Sequence, residues 1–230
     1  MQRYEIATLQ LSMGAAGKAA PAIQAFCNEN DAKGKLLGAF TTEVGPLNQV
    51  ILLRGFANES DLASERKRTL TSSNPFGASE WMSELTLETY SPFPFLKPVE
   101  TGAFGPIYEL RSYVYKHGGL PHILKAWEDA VPEREKISPL TIALYSLDGR
   151  PRITHIWPYK TPNERFELRA QSVAKSVWPP KGGPDWLTSD MRSSLIVPLP
   201  ISPSPEAVLS LRFKATNCRN VSGSFFIDIL

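Results

Sequence analysis

The chain has 230 residues, 42% of them hydrophobic and 10% aromatic, with a net charge of +2. That much apolar material supplies one large core or two smaller ones, so disorder is excluded as the default state. Residues 1–104 hold 9 basic and 11 acidic side chains and the remainder 16 and 12, a split too weak and dispersed to make a nucleic-acid surface.

Cys27 and Cys218 show no CxxC spacing, so neither a zinc site nor a disulfide framework is indicated, and a reducing, cytoplasmic setting is expected. No apolar run approaches the roughly 20 residues of a membrane helix. The chain enters a strand-like segment at Tyr4 with no signal or transit pattern before it.

In chain order, the alternation over 3–11 predicts a strand, and Ala19, Ile23 and Phe26 at helical spacing predict a helix around 16–28. A hairpin follows at 36–44 and 48–56. Next comes a helix over about 59–71, with Asn58 or Ser60 as cap and Glu59, Asp61 and Glu65 early in it. A loop rich in Pro and Gly leads to a strand at 83–90. The same order then repeats: strand 107–115, helix 120–131 on Ile123, Leu124 and Trp127, hairpin 140–147 with 152–159, helix 162–177 opened by Thr161-Pro-Asn-Glu164, and strand 193–199.

Residue identities follow the repeat. Tyr4-Glu-Ile returns as Tyr108-Glu-Leu, Gly14 as Gly118 and Ala22 as Ala126. After a one-residue gap, Val50, Leu53, Phe56 and Arg66 match Ile153, Ile156, Tyr159 and Arg169, and Trp81 and Trp186 close the two copies. A period this long marks a duplicated domain. The order β-α-β-β-α-β is the ferredoxin-like split unit, so the expected class is α+β, with duplicated ferredoxin-like (βαββαβ) domains forming a dimeric-type α+β barrel. The expected divisions are 1–98, 99–202 and a C-terminal extension, 203–230, whose apolar segments 207–213 and 225–230 read as short strands or docked arms. One sheet face goes to the helices, and the second copy is the partner nearest to hand for the other, held at high effective concentration by a linker at about Ser91–Pro106. Exchange between two chains is the structural alternative.

In the second hairpin, Asp148-Gly149-Arg150-Pro151 supplies turn residues, and the following strand puts Ile153, His155, Trp157 and Tyr159 on one side. Pro158 lacks an N–H, so that strand should end there or run along an edge.

Tyr108-Glu-Leu-Arg-Ser-Tyr113, Ile153-Thr-His-Ile-Trp-Pro-Tyr159, Arg165, Arg169 and the segment from Trp178-Pro179-Pro180 to Trp186 resemble the NIPSNAP family, here in tandem form. The second copy matches well over about 106–200. The first matches in outline over 4–96 but has Leu52 and Arg54 where the second has His155 and Trp157. The resemblance implies the dimeric α+β-barrel fold, related in architecture to cofactor-free monooxygenases and to dye- or haem-degrading proteins. It implies no reaction, because the family's biochemical activity is not established and fold analogy carries none.

The candidate ligand-binding residues are His155, Trp157, Tyr159, Arg169 and Tyr115, expected to line the barrel lumen, with Glu109 and Arg111 added if their strand face also looks into the barrel, and no residue is assigned a catalytic role. An imidazole among aromatic rings can act as acid, base or donor, but a buried structural histidine is the plainer role. Glu109 and Arg111 alternate with Tyr113 and Tyr115 on one face, and a Glu109–Arg169 or Arg111–carboxylate ion pair is the plainer role there. Trp81 and Trp186 fit plugs for the barrel ends. His117, His122 and Glu128 lack metal-ligand spacing, Lys181-Gly182-Gly183 lacks the phosphate-loop pattern, and no cofactor is indicated. The partners left open are a small-molecule ligand, a protein partner or a homo-oligomer, with no nucleic acid and no membrane span. Two classes of function follow: a small-molecule-binding or cofactor-free enzyme-like barrel, and a protein-binding scaffold.

Overall fold

The computed structural model describes residues 3–203. The first half is β1 (Arg3–Leu11), α1 (Ala16–Cys27), β2 (Lys35–Val44), β3 (Gln49–Phe56), α2 (Glu59–Thr71) and β4 (Met82–Pro92). The second is β5 (Ile107–Tyr115), α3 (Leu120–Glu135), β6 (Ile142–Ser146), β7 (Arg152–Tyr159), α4 (Pro162–Ala174) and β8 (Leu187–Pro198). All strand pairs are antiparallel, and the order β1-β3-β2-β8-β5-β7-β6-β4 closes into a barrel. The barrel closes through β2 pairing with β8 and β4 with β6, so each half seals the other's edges. The expected C-terminal strands at 207–213 and 225–230 lie outside the described residues.

Local chemistry sets the helix starts. Asn58 accepts the Asp61 N–H at 2.8 Å, and Thr161 accepts the Glu164 N–H at 3.0 Å, each capping a helix that carries acids in its first turn. α1 and α3 lack side-chain caps and are held by what they bury, chiefly Ile23 and Phe26 in one and Ile123, Trp127 and Val131 in the other.

Strand alternation then builds three apolar layers. Ala7, Leu9, Val50 and Leu52 meet α1. Ile153, Trp157 and Tyr159 meet α3. Between these lies a layer of strand residues from both halves, among them Tyr4, Leu53, Tyr108, Ile156 and Ile196, which is the barrel interior.

Several boundaries differ from the sequence expectation. α3 continues beyond 131 to Glu135, because Val131 and Arg134 prolong its buried face through Pro132. α4 stops at Ala174 instead of 177, and β8 begins at Leu187 instead of 193. β7 runs through Pro158 to Tyr159 with β5 on one side. Its other neighbour, β6, stops pairing at Ile142–Ile156, so the missing Pro158 N–H faces no ladder there.

Candidate functional site

In the β5–β7 ladder Glu109 lies opposite Trp157 and Arg111 opposite His155, so these four share a face. Trp157 and Tyr159 belong to the layer packed on α3. The face therefore looks at the helices. The expected lumen lining by His155, Trp157, Tyr159, Arg169 and Tyr115 is corrected: the lumen takes the opposite parity, Tyr108 and Ile156. Tyr115 sits at the far end of the shared face, opposite Leu187, about 20 Å along the strand from Glu109.

The centre of the site is Glu109, which is 0% exposed. Its Oε1 accepts from Arg165 Nη2 at 2.5 Å, Ser193 Oγ at 2.6 Å and Arg111 Nη1 at 2.7 Å. Arg169 Nη1 stands 3.7 Å from Oε2, which has no hydrogen-bond partner among the described residues. Burial pushes the carboxyl up, but hydrogen bonds from Arg165 and Ser193 and the charges of Arg111 and Arg165 prevail and hold it at about 2. Of the two ion pairs expected from sequence, Arg111–Glu109 is a close contact and Arg169–Glu109 a loose one; the strong additional partner is Arg165.

His155 is buried, and its Nδ1 accepts the Trp157 indole N–H at 2.6 Å. An indole can only donate, so the uncharged imidazole carries its hydrogen on Nε2, which is buried without a partner among the described residues. Burial, then the Arg111 charge, lowers its pKa to about 3. The ring is fenced by Tyr113 at 5.1 Å and Trp127 at 4.9 Å between centroids. Arg134, from the last turn of α3, places its guanidinium 4.6 Å from the centre of the Trp157 ring, with Nε and Nη1 buried and unbonded among the described residues. The sequence reading missed Arg134, although it falls seven residues after Trp127 on the same helix face.

A depressed histidine pKa stabilises the fold only where the unfolded chain is also uncharged. Full stability holds above about pH 6.5 and is lost as pH falls toward 3, because the unfolded chain takes up a proton that folded His155 refuses. Between pH 7 and 5 this loss is about 2 kcal/mol. Urea unfolding of His155→Asn, which keeps an acceptor for Trp157, is expected to lack that dependence; an unchanged slope would show that another group causes it.

The first half offers an internal comparison. Glu5 lies opposite Arg54 as Glu109 lies opposite Trp157. Arg54 donates to Glu5 at 2.5 and 3.0 Å and to Glu65 at 2.6 Å, and Arg68 donates to Glu65 at 2.7 and 3.0 Å. Two buried carboxylates thus meet two arginines, and Leu52 fills the position of His155. The repeated arginines also diverge. Arg66 is tied to Asp148 at 2.9 Å and to the Leu87 carbonyl at 2.7 Å, whereas Arg169 is about a third exposed and, among the described residues, has the 3.7 Å contact with Glu109 as its one ion pair. Trp186 stacks on His122 at 4.2 Å, and Trp81 packs against the first core.

A family model described as NIPSNAP matches residues 4–96 and again 108–203. The chain belongs to the NIPSNAP family. Among its relatives is Protein NipSnap homolog of Dictyostelium discoideum, 32% identical over 144 residues, which are 62% of this chain and 65% of that NIPSNAP protein. Two solved structures share the fold. One is a presumptive monooxygenase from Lactobacillus acidophilus, with TM-score 0.60 and 10% identity, covering 86% of this chain and 94% of that one. The other is an anthrone oxidase-like protein with TM-score 0.62 and 9% identity, covering 86% and 91%. At such identities the likeness establishes the α+β barrel and nothing of the chemistry. Among the described residues no helix is long and apolar enough to cross a membrane.

Proposed function

We propose that this NIPSNAP protein binds a small organic anion in its second half, between the sheet and helices α3 and α4, as a cofactor-free enzyme-like barrel. The observation that carries the reading is a charge imbalance. One carboxylate, Glu109, faces Arg111, Arg165, Arg169 and, nearby, Arg134, where the corresponding cluster of the first half sets buried Glu5 and Glu65 and half-exposed Glu29 against only Arg54 and Arg68. Uncompensated buried cations are costly, and a carboxylate or phosphate bridged by two guanidinium forks relieves them. Arg169, Arg165 and the His155 Nε2 hydrogen are the candidate contacts, with Trp157 and Tyr159 as apolar wall. Arg111 and Glu109 hold the arginines in place, and Tyr115 has only a peripheral part.

The test is calorimetric titration with benzoate and with inorganic phosphate. Saturable binding is expected, with a rise in thermal midpoint. Ligand at about 100 times its Kd adds about 2.7 kcal/mol. Arg165→Gln/Arg169→Gln should abolish it. Absence of binding by both anions, or equal binding by the double variant, would overturn the reading.

A second reading, a protein-binding scaffold, has one observation in its favour: Phe166 and Val173 lie seven residues apart on α4 and are 63% and 60% exposed. Native mass spectrometry of gently purified protein separates the two, since a small mass lost on denaturation supports the ligand and a bound polypeptide or second copy supports the scaffold. The reading also takes 1–98 and 99–202 as the working units, with 203–230 as an extension, and places the protein in the cytoplasm. A reducing setting suits Cys27, a free thiol among the described residues.

A further inference from the structure

The barrel interior changes character along its axis. At one end Tyr4, Tyr108, Leu144 and Ile156 fill it. Toward the other end, where the two hairpin turns lie, the inward positions become Thr8, Gln49, Thr86, Ser112 and Ser194, and the space opens into a cavity of about 710 Å³. Both halves contribute to its wall. Ser112 is adjacent in β5 to Arg111, so the cavity lies on the opposite face of the sheet from the Glu109 site.

We propose that this mouth of the barrel is a second binding site, for a neutral polyhydroxylated molecule of mono- or disaccharide size. The charge pattern is the first argument. Four arginines and four carboxylates line the cavity, leaving no net charge. Three pairs are already made, Arg150–Asp190 at 2.5 Å, Arg152–Glu88 at 2.7 Å and Arg66–Asp148 at 2.9 Å. Only Arg192 and Glu84, both exposed, lie outside these close pairs, so a charged ligand going deeper has to break a pair, whereas a hydroxyl can use the lone pairs and N–H groups that each pair leaves over.

Rigidity is the second argument. Asp148 also accepts the Thr89 N–H at 3.0 Å, and Arg152 donates to the Tyr90 hydroxyl at 3.1 Å and to the Arg150 carbonyl at 2.9 Å. These groups are held before any ligand arrives, which lowers the ordering cost of binding. The third argument is the lining. Thr8, Thr86 and Ser194 make no side-chain hydrogen bond among the described residues, while Ile51, Leu110 and Val114 offer an apolar patch for the C–H face of a sugar ring. The volume falls within the range of small-molecule sites.

The full chain is titrated calorimetrically with glucose, sucrose and myo-inositol, and separately with glucose 6-phosphate. At least one of the three neutral compounds is expected to bind saturably with a Kd of about 1 mM or tighter. Ser112→Leu and Thr8→Leu fill the cavity from different halves, and each is expected to weaken binding at least about tenfold. Two variants guard against one failing to fold, and circular dichroism and the thermal midpoint check both. Arg165→Gln/Arg169→Gln should bind the sugar as the parent does, which separates this site from the anion site. The proposal is overturned if no neutral compound binds, if only glucose 6-phosphate does, or if a folded Ser112→Leu or Thr8→Leu variant binds like the parent.

Discussion

Glu109→Ala is expected to destabilise the fold by about 3–5 kcal/mol at neutral pH, the scale of removing one partner from a buried ion cluster. The carboxylate is the only acid in direct contact with Arg111, Arg165 and Arg169 among the described residues. Without it three guanidinium groups repel one another, and two of them, Arg111 and Arg165, are only 15% exposed to the water that would screen them. The pH dependence identifies the cause. A carboxyl held at about 2 when folded and near 4.5 when unfolded gives stability that is complete above pH 4.5 and is lost as pH falls to about 2. That contribution is on the order of 3 kcal/mol. Urea unfolding at pH 7, 4 and 2.5 should therefore show variant and parent converging as the parent's own carboxylate takes up its proton. A gap that stays constant across that range would mean that lost packing, not lost charge, is responsible.

Much of this architecture is legible in the sequence, and the exceptions have physical causes. The bounds of α2 agree with the pattern because the Asn58 cap and the acids Glu59 and Asp61 mark its start chemically. The duplicated strand order was legible because both copies keep Tyr-Glu in the opening strand. Which face of each strand looks inward was not. In a barrel wrapped by helices both faces are buried, so period-two alternation groups His155 with Trp157 and Tyr159 without saying whether they meet the lumen or α3. Arg134 escaped for another reason, and Arg165 entered only through the family resemblance and not as a site residue. A buried arginine on a helix looks in sequence like any solvated one, and only the tertiary contact with Glu109 or Trp157 distinguishes it.

The first half makes the complementary case. Arg54→Met should cost about 3–5 kcal/mol by leaving Glu5, which is 0% exposed, without a cation. Glu65 suffers less. Burial raises its pKa, but two bonds from Arg68 and the Lys33 N–H at 2.9 Å outweigh burial and hold the carboxyl below its ordinary value, and these contacts survive the loss of Arg54. The double variant Glu5→Leu/Arg54→Met should accordingly recover most of the loss, because replacing a buried ion pair with apolar groups of similar size is often neutral or stabilising. The Met side chain also keeps a contact with the Phe76 ring, which the Arg54 guanidinium now approaches at 4.9 Å. Chemical denaturation of parent, single and double variants decides the matter. If the double variant is as unstable as the single, the role of Arg54 is its packing on Phe76 and not the neutralisation of Glu5. Recovery would instead identify the first copy as a cluster whose charges are satisfied from within, and anion binding by the second copy should then be unchanged in the double variant. In that case the duplication leaves one copy to seal the barrel while the other keeps its excess of arginines.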